Sequence, residues 1–366
     1  MTSAQGPRSP ANQEFPELLQ FLDQELRPGS SWSIAQEYPT AVFPGNIHNM
    51  RIISNEEGIQ SHALIRPLIV KTPTCNWKIA AIGSVVTKST ARQRGYSHQV
   101  LDSCLREAEK QQCDLAILWS NLHEFYIKQG FCLAGFEESF MMDSALALPK
   151  ASFRISSDAR ISPEAIARLY SQHSVNTPRS LEDIRQFLKI PNARIFTAWD
   201  ASGALAAYAV EGKGADLQGY IHEWSGNIDA LLHVFHHVWK QHQKPITILI
   251  PHHSQNLIRR LNQLGNLHHH QGYLGLMKVL NPTKACERVV NHARALGVFD
   301  FQMTYQEGQV QISLGQERIQ IETNLDLPRL IFGPIEFEGI SASVKNTEVL
   351  KRIFPLPLWI WGWDSV

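Results

Sequence analysis

The sequence lacks the features that mark membrane, secreted and nucleic-acid-binding proteins. Its longest apolar runs, such as Pro67–Val70, are far too short to span a bilayer. Its five cysteines form no Cys-x-x-Cys pair, and an odd count does not suggest a disulfide framework. Its 34 basic residues balance its 34 acidic residues, so no net basic field favours nucleic acid. We therefore expect a globular protein of a reducing cytoplasm, with neither a membrane nor a nucleic acid as partner.

The length predicts several domains. A chain of 366 residues is too long for one compact core, and its 43% apolar content is ordinary for a globular protein. Residues 1–13 lack the apolar core of a secretion signal, and we interpret them as a disordered tail. Patterns along the rest of the chain predict three units, at 14–150, 151–281 and 282–366.

One segment of the first unit has the pattern of a phosphate-binding loop. The apolar run Ile79–Val86 predicts a strand, and apolar residues at helical spacing after residue 97 predict a helix. Between them Arg92, Gly95 and Ser97 have the spacing Arg-x-x-Gly-x-small. Such a loop directs main-chain N–H groups toward one point near the positive end of the helix dipole, and Gly95 presents no Cβ to an approaching oxygen. Because the loop pattern alone has little specificity, the segments that follow matter.

Those segments are a short apolar strand and a short helix. Asp114–Trp119 predicts the strand, Ser120 and Asn121 begin a turn, and His123–Gln129 predicts a helix that ends at Gly130. This order resembles the GNAT (GCN5-related N-acetyltransferase) superfamily, in which the loop holds the pyrophosphate of CoA and a tyrosine on the last short helix faces the thioester sulfur. Ser97 stands where that family usually has Gly or Ala.

The resemblance implies acetyl-CoA as cosubstrate, without a metal. Tyr126 matches the family's tyrosine. The residues expected to bind acetyl-CoA are Val85, Val86, Thr87, Arg92, Gln93, Arg94, Gly95, Tyr96, Ser97 and Asn121.

The chemistry of amine acetylation suits these residues. The reaction needs a neutral amine, a held thioester carbonyl and a proton for the leaving thiolate. A tyrosine phenol is protonated at neutral pH and can donate that proton. Main-chain N–H groups at Val85 or Val86 are expected to polarise the carbonyl, and a separation of the strands at Val85 and Leu118 would admit the pantetheine arm. The alternatives are a packing role for Tyr126 and solvated loop charges at Arg92 and Arg94.

The second unit repeats the order of the first at a spacing of roughly 140 residues, as in a duplicated domain. Where the first unit has its loop, the second has only Ser225-Gly226-Asn227, and Asn256–Ile258 contains no tyrosine. We therefore interpret it as a degenerate copy. Its helix carries His233, His236 and His237 at a spacing that can ligate metal, but no cysteine or carboxylate completes a familiar zinc pattern, so surface or interface histidines are expected.

The third unit is small and ends in an aromatic run, Phe354–Val366. It is predicted to hold a helix at Thr283–Leu296, three strands and two short helices, the first within Leu327–Gly333. An active GNAT unit, a degenerate one and a small sterol-carrier-like unit form the layout of the Eis-like (enhanced intracellular survival) acetyltransferases. This resemblance implies an α+β fold class: tandem GNAT folds, each a mixed twisted sheet flanked by helices, followed by a small α+β sterol-carrier-like domain.

In the Eis-like family the C-terminal carboxylate reaches the first unit's active site and serves as base, a role that would fall here to Val366. Docking of the aromatic terminus for packing alone is the alternative, and His123 and Glu124 are the side-chain candidates for the base. The resemblance suggests a bacterial, cytoplasmic enzyme of a family that often forms homo-oligomers, one that acetylates an amine directly. The amine would belong to a small molecule such as an aminoglycoside, or to lysine or a peptide. The rival hypothesis is an acyl-CoA-binding regulatory or scaffold protein with little turnover.

Overall fold

A computed structural model describes residues 4–150, 152–157, 161–306, 308–322, 327–335 and 344–366. The strands, in chain order, are β1 (Gln5–Arg8), β2 (Met50–Asn55), β3 (Gly58–Lys71), β4 (Asn76–Thr87), β5 (Leu115–Leu118), β6 (Cys132–Ala134), β7 (Glu137–Met142), β8 (Arg154–Ser157), β9 (Arg194–Trp199), β10 (Leu205–Lys213), β11 (Asp216–Gly226), β12 (Ile246–Pro251), β13 (His268–Gly272), β14 (Gly275–Val279), β15 (Phe301–Gln306), β16 (Gln309–Leu314) and β17 (Glu317–Glu322).

The helices, in chain order, are α1 (Phe15–Leu26), α2 (Ile34–Glu37), α3 (Tyr96–Lys110), α4 (His123–Ile127), α5 (Pro163–Tyr170), α6 (Leu181–Phe187), α7 (Ile228–His242), α8 (Gln255–Leu264), α9 (Pro282–Ala295), α10 (Leu327–Phe332) and α11 (Val344–Ile353). Short 3-10 helices lie at Asn12–Glu14, Pro44–Asn49, Ser89–Ala91 and Gly362–Asp364. None of these helices is long and apolar enough to cross a membrane, within the residues described.

Two large sheets carry the fold. Among the described residues, sheet A has the order β1-β2-β3-β4-β5-β14-β6, and sheet B has the order β13-β7-β12-β11-β10-β9-β8. Each contains one parallel pair, β4 with β5 and β11 with β12, and the other pairs are antiparallel. Helix α3 buries an apolar face against sheet A, and α7 contacts sheet B. The prediction of mixed sheets flanked by helices is confirmed.

The two sheets exchange strands. Gly135, at φ +73°, separates two short strands, β6 and β7. Strand β7 lies in sheet B, where Phe140 pairs with Ile248. Strand β14, from the second unit, lies in sheet A between β5 and β6. The predicted units 14–150 and 151–281 therefore each contribute one strand to the sheet of the other.

The expected disordered tail is largely an ordered segment. Strand β1 pairs with β2, where Arg8 opposes Ile52. The guanidinium of Arg8 donates to both carboxylate oxygens of Glu14 at 2.7 and 2.6 Å. The prediction is wrong for residues 4–13 because the edge of β2 offers unpaired main-chain groups to which this segment can add a strand. Residues 1–3 lie outside the described part of the chain.

The third unit has α9 packed on a three-stranded antiparallel sheet, β15-β16-β17, as the sequence pattern predicts. It joins the first unit at α10, where the carbonyl of Gly333 accepts from the N–H of Gly135 at 2.8 Å. The final segment, Leu356–Asp364, leaves this unit and is almost entirely buried, including Trp359, Trp361 and Trp363. Whether the unit is sterol-carrier-like stays a prediction.

Candidate active site

Strand β4 carries a bulge near its carboxyl end. Ser84 has φ +50°, and the register against β3 shifts between His62 and Leu64. The fully buried ring of His62 holds the bulge, because its Nδ1 lies 2.8 Å from the carbonyl oxygen of Ser84 and must donate to it. Burial lowers the pKa of His62 to about 4, so the ring is neutral at neutral pH. The bulge thus has a fixed main-chain orientation.

Beyond the bulge, β4 and β5 separate. Their last paired residues are Ala81 and Ile117, although β4 continues to Thr87. This is the separation expected at Val85 and Leu118. A cavity of about 560 Å³ lies there, and Val85 and Leu118 both line it. Parting strands expose main-chain groups that a paired sheet would use, so the site can receive a polar, extended ligand.

Tyr126 lies on α4 and lines the same cavity. It is buried, and its ring packs edge-on against Phe125 and Phe131 at centroid distances of 4.9 and 6.0 Å. Burial raises the pKa of its phenol, and a hydrogen bond with the Ser120 side chain opposes the rise only in part. The phenol is therefore a protonated donor at neutral pH.

The loop after β4 has the geometry of an anion site. Gly95, at φ +76°, is the residue before α3, and Gln93 also has a positive φ of 63°. In the described part of the chain, no acceptor bonds the main-chain N–H groups of residues 93–95. The hydroxyl of Ser97 lies 2.7 Å from that of Thr87, which ties the helix start to the strand end. Unpaired N–H groups at a helix N-terminus fit a diphosphate.

The other predicted cofactor residues lie in different surroundings. Arg92 and Arg94 are exposed on the loop. Val86 packs toward α1, with its side chain among that helix's apolar residues. Asn121 is exposed, while its neighbours Ser120 and Leu122 line the cavity. Val85 is therefore the predicted cofactor residue that faces the cavity directly.

Val366 enters the cavity from the other end of the chain. Its carboxyl carbon lies 3.0 Å from the point where a Cβ on Gly83 would stand, and its side chain lies 3.1 Å from that point. Gly83 is the residue before the bulge at Ser84. The structure thus brings Val366, Val85 and Tyr126 to one cavity.

Glu137, at the start of β7, was not predicted to contribute to the site. It lines the cavity, and within the described residues no hydrogen-bond or ion-pair partner is found for its carboxylate. Burial raises its pKa to about 7. Asp216 lines the cavity too, but it is paired with Arg27 at 2.7 Å and accepts from Tyr38 at 2.5 Å. Of the two acidic side chains in the cavity lining, Glu137 is therefore the one available to a cation.

In the described part of the second unit, no equivalent loop precedes α7. Strand β11 runs to Gly226, and the Asn227 side chain caps α7 by accepting from the N–H of Ala230 at 3.1 Å. Of the helix histidines, His236 accepts from the N–H of Leu146, and His237 bonds Gln241. Among the described residues, no group of three or more histidine, cysteine or acidic side chains is placed to hold a metal ion.

A bulged strand that parts from its parallel neighbour, a helix that begins at a left-handed glycine, and a buried tyrosine on the next short helix define the fold of an acyltransferase of the GNAT class. Residues 22–134 match the family model described as the Acetyltransferase (GNAT) domain. The chain therefore contains a GNAT acetyltransferase domain, and the protein is an acyltransferase by class. The match confirms the resemblance that the loop and the tyrosine indicated.

Three solved structures have the fold of the whole chain. A GCN5-related N-acetyltransferase from Anabaena variabilis has a TM-score of 0.65 at 12% identity, with 100% of both chains covered. A probable N-acyltransferase from Enterococcus faecalis has a TM-score of 0.64 at 12% identity, with 98% of this chain and 97% of that one covered. Eis1 from Mycobacterium abscessus has a TM-score of 0.62 at 11% identity, with 100% of both chains covered. No protein of curated function matches in sequence.

Proposed function

We propose that the protein is an acetyl-CoA-dependent N-acetyltransferase that transfers the acetyl group directly to an amine. The observation that carries the proposal is the meeting of Tyr126, Val85 and Val366 in one cavity at the separation of β4 and β5. A proton donor, main-chain donors at a bulge and a carboxylate are the groups that this reaction needs. In the proposed layout the catalytic unit is 14–150, the degenerate unit is 151–281, and 282–366 is sterol-carrier-like.

The diphosphate of CoA would bind at the start of α3. The unpaired N–H groups of residues 93–95 and the helix dipole favour negative charge there. Arg92 and Arg94 are exposed on the same loop and can reach the phosphates. The pantetheine arm would then follow the gap between the strands toward Tyr126. Gln93, Tyr96, Ser97 and Thr87 would shape the loop, while the positions of Val86 and Asn121 give them at most a minor part.

The acetyl transfer is one addition followed by one elimination. The substrate ammonium first loses a proton to the carboxylate of Val366, directly or through a water. The neutral nitrogen then forms a bond to the thioester carbonyl carbon, and main-chain N–H groups near Val85 stabilise the oxyanion. The carbon–sulfur bond breaks, and the thiolate takes the phenolic proton of Tyr126. The second proton on nitrogen leaves through solvent to restore the phenol, and Val366 releases the first proton to solvent. The products are an amide, a thiol and one proton, and the enzyme returns to its starting state.

Val366 is the proposed base because of its position. His123 and Glu124 are exposed in the first turn of α4, and neither lines the cavity. Val366 lines the cavity and packs on Gly83 beside the bulge. A carboxylate near the substrate ammonium also stabilises that cation while it binds.

The cavity suits an amine with apolar parts. Trp119, Leu122, Leu274 and Trp359 are among its lining residues, and Glu137 offers an unpaired carboxylate. Small-molecule amines and lysine side chains both have this chemistry. The proposed substrate class is therefore an amine of either kind.

A steady-state assay tests the proposal. Acetyl-CoA is mixed with a panel of amines, and free CoA is followed with a thiol reagent. The proposal expects CoA release that depends on an amine and produces its N-acetyl derivative. Tight binding of acetyl-CoA with no amine-dependent release over the whole panel would contradict it and would favour the rival, a regulatory or scaffold protein that binds acyl-CoA.

A further inference from the structure

Basic side chains from both sheets hold the last residues of the chain. Arg66, on β3 of sheet A, donates to the main-chain carbonyl of Asp364 at 2.7 Å. Lys213, the last residue of β10 in sheet B, donates to the main-chain carbonyls of Gly362 and Ser365 at 2.8 and 2.7 Å. The carbonyls of the two residues before Val366 each accept a hydrogen bond from a basic side chain.

Lys213 is 1% exposed, and its surroundings are built around the terminus. Its ammonium also lies 3.2 Å from the Ser365 hydroxyl and 4.5 Å from the centre of the Tyr38 ring. Within the described residues no carboxylate forms a salt bridge with Lys213, so its partners are the oxygens of the terminal residues.

Arg179 fixes the Asp364 side chain. Its guanidinium donates to that carboxylate at 2.7 and 3.0 Å and to Glu223, on β11, at 2.7 and 3.0 Å. Burial works to raise the pKa of Asp364, but Arg179 and Arg66 outweigh it and hold that pKa below its ordinary value. Asp364 is therefore a carboxylate at neutral pH, bound between Arg66 of sheet A and Arg179, which lies in the loop before α6.

The packing around this segment allows little movement. A Cβ on Gly362 would stand 1.9 Å from a ring nitrogen of His222, so the main chain there lies directly against the ring. The Trp363 ring stacks on Phe187 and Tyr208 at centroid distances of 5.5 and 6.2 Å. These partners belong to the second unit.

We propose that Lys213, together with Arg66 and Arg179, positions the carboxylate of Val366 for the reaction, so that the second unit supplies part of the first unit's active site. The inference rests on the proposed function, because it assigns the carboxylate a task. It also assigns a role in the reaction to the second unit, in whose described residues no CoA loop is found. These three are positioning residues: their hydrogen bonds to the terminal segment are to the residues before Val366, and they act through it.

Stability alone does not explain such an arrangement. Apolar residues of similar volume often replace buried charges at little or no cost in stability, whereas buried charge networks can specify one conformation. Here the acceptors of Arg66 and Lys213 are mainly main-chain oxygens of the terminal residues. A displacement of about 1 Å at a reacting group can cost on the order of 10²-fold in rate, so fixing these oxygens serves catalysis.

The experiment compares Lys213→Met with Lys240→Met, an exposed control on α7. The first readout is independent of acetyl transfer: the rate at which a carboxypeptidase releases Val366 should rise in Lys213→Met and not in the control. The second is kinetic: kcat should fall on the order of 10²-fold while acetyl-CoA binding stays near wild type. Arg66→Met, from the other sheet, provides the same comparison if Lys213→Met does not fold.

A cycle with the terminus decides whether Lys213 acts through it. A variant with one glycine added after Val366 displaces the carboxylate, and Lys213→Met is then made in that background. If Lys213 acts through the terminus, the double variant is no slower than the extension alone. Two outcomes would overturn the inference. One is a double variant whose kcat loss is the product of the losses in the two single variants; the other is a wild-type kcat in Lys213→Met although carboxypeptidase releases Val366 faster. Absence of acetyl transfer in the wild type would instead refute the proposed function. The rate at which carboxypeptidase releases Val366 would still show whether Lys213 fixes the terminus.

Discussion

The carboxyl carbon of Val366 lies 3.0 Å from the point where a side chain on Gly83 would begin. Gly83→Ala should therefore shift the terminus by a few tenths of an ångström and lower kcat, since contacts of 3.0–3.1 Å are tighter than ordinary van der Waals contact. The main chain at Gly83 is not in the left-handed region, so alanine brings no strain of its own and should leave the melting temperature near wild type. Gly272→Ala, on a strand with nothing closer than 3.7 Å, is the matched control.

Removing only the terminal charge tests the proposed base. A Val366 amide, prepared by peptide ligation, keeps the side chain and packing but cannot accept a proton. Its kcat should fall by about 10²–10⁴-fold, the usual contribution of general catalysis, with acetyl-CoA affinity unchanged in calorimetry. An amide that turns over at the wild-type rate would leave the terminus a packing role and return His123 to consideration.

Gly95→Asp should abolish acetyl-CoA binding. Gly95 has a left-handed conformation, and the substitution adds a side chain and a negative charge there. The main-chain N–H groups at the start of α3 favour an anion at this point, and the new carboxylate would repel it. Calorimetry measures the loss, and circular dichroism shows whether the fold is kept. Gly203→Asp controls for the backbone effect, because Gly203 has φ +81° in an exposed turn with nothing within 4 Å. A second tight site in the wild type would contradict the absence of a loop in the second unit.

Tyr126→Phe should lower kcat much more than it changes binding. The hydroxyl is needed only as the thiolate develops, so its loss is a loss of transition-state stabilisation, typically about 10²–10⁴-fold. Tyr273→Phe removes a hydroxyl outside the cavity and serves as control. If kcat is unchanged while chemistry is rate-limiting, as judged by single-turnover kinetics, Tyr126 is a packing residue.

Glu137 should make stability depend on pH. Burial raises its folded-state pKa to about 7, above the ordinary value of 4.5, so the folded state keeps a proton that the unfolded state loses between these values. The free energy of unfolding therefore falls as pH rises from about 4.5 to 7. Glu137→Gln, which mimics the neutral acid, should match wild type near pH 4.5 and exceed it by up to about 3 kcal/mol at pH 8.

Urea unfolding at the two pH values measures this difference for Glu137→Gln. Glu124→Gln, exposed on α4, controls for the loss of a charge. Equal stability of Glu137→Gln and wild type at pH 8 would mean that the carboxylate is solvated or paired in solution.

Local patterns predicted the elements around the site. The loop before α3 and Tyr126 on α4 follow from neighbouring residues in the sequence, because a left-handed glycine and a helix start are set within a few positions. The hairpin of β2 and β3 has a local signal of the same kind, its turn at Asn55–Gly58. The cofactor role of Asn121 rested on likeness alone, and the side chain is exposed.

Long-range relationships could not be predicted in this way. The pairing of β7 with β12 joins residues more than a hundred positions apart, and an apolar strand reads the same in either sheet. Arg66, Lys213 and Glu137 are single charged residues in or at the ends of strands, with no motif around them. The partners of Arg66 and Lys213 become evident only when the chain's last residues are seen between the sheets.

The exchange of β7 and β14 limits how the protein can be made. During synthesis the first unit cannot complete its sheet until Val279 has left the ribosome, because β14 lies between β5 and β6. Until then the edges of β5 and β6 are unpaired and open to other chains. A fragment of residues 4–150 would carry the loop and the tyrosine and still lack a central strand. Either unit could therefore become a separate protein only if a new strand replaced the one that the other unit supplies.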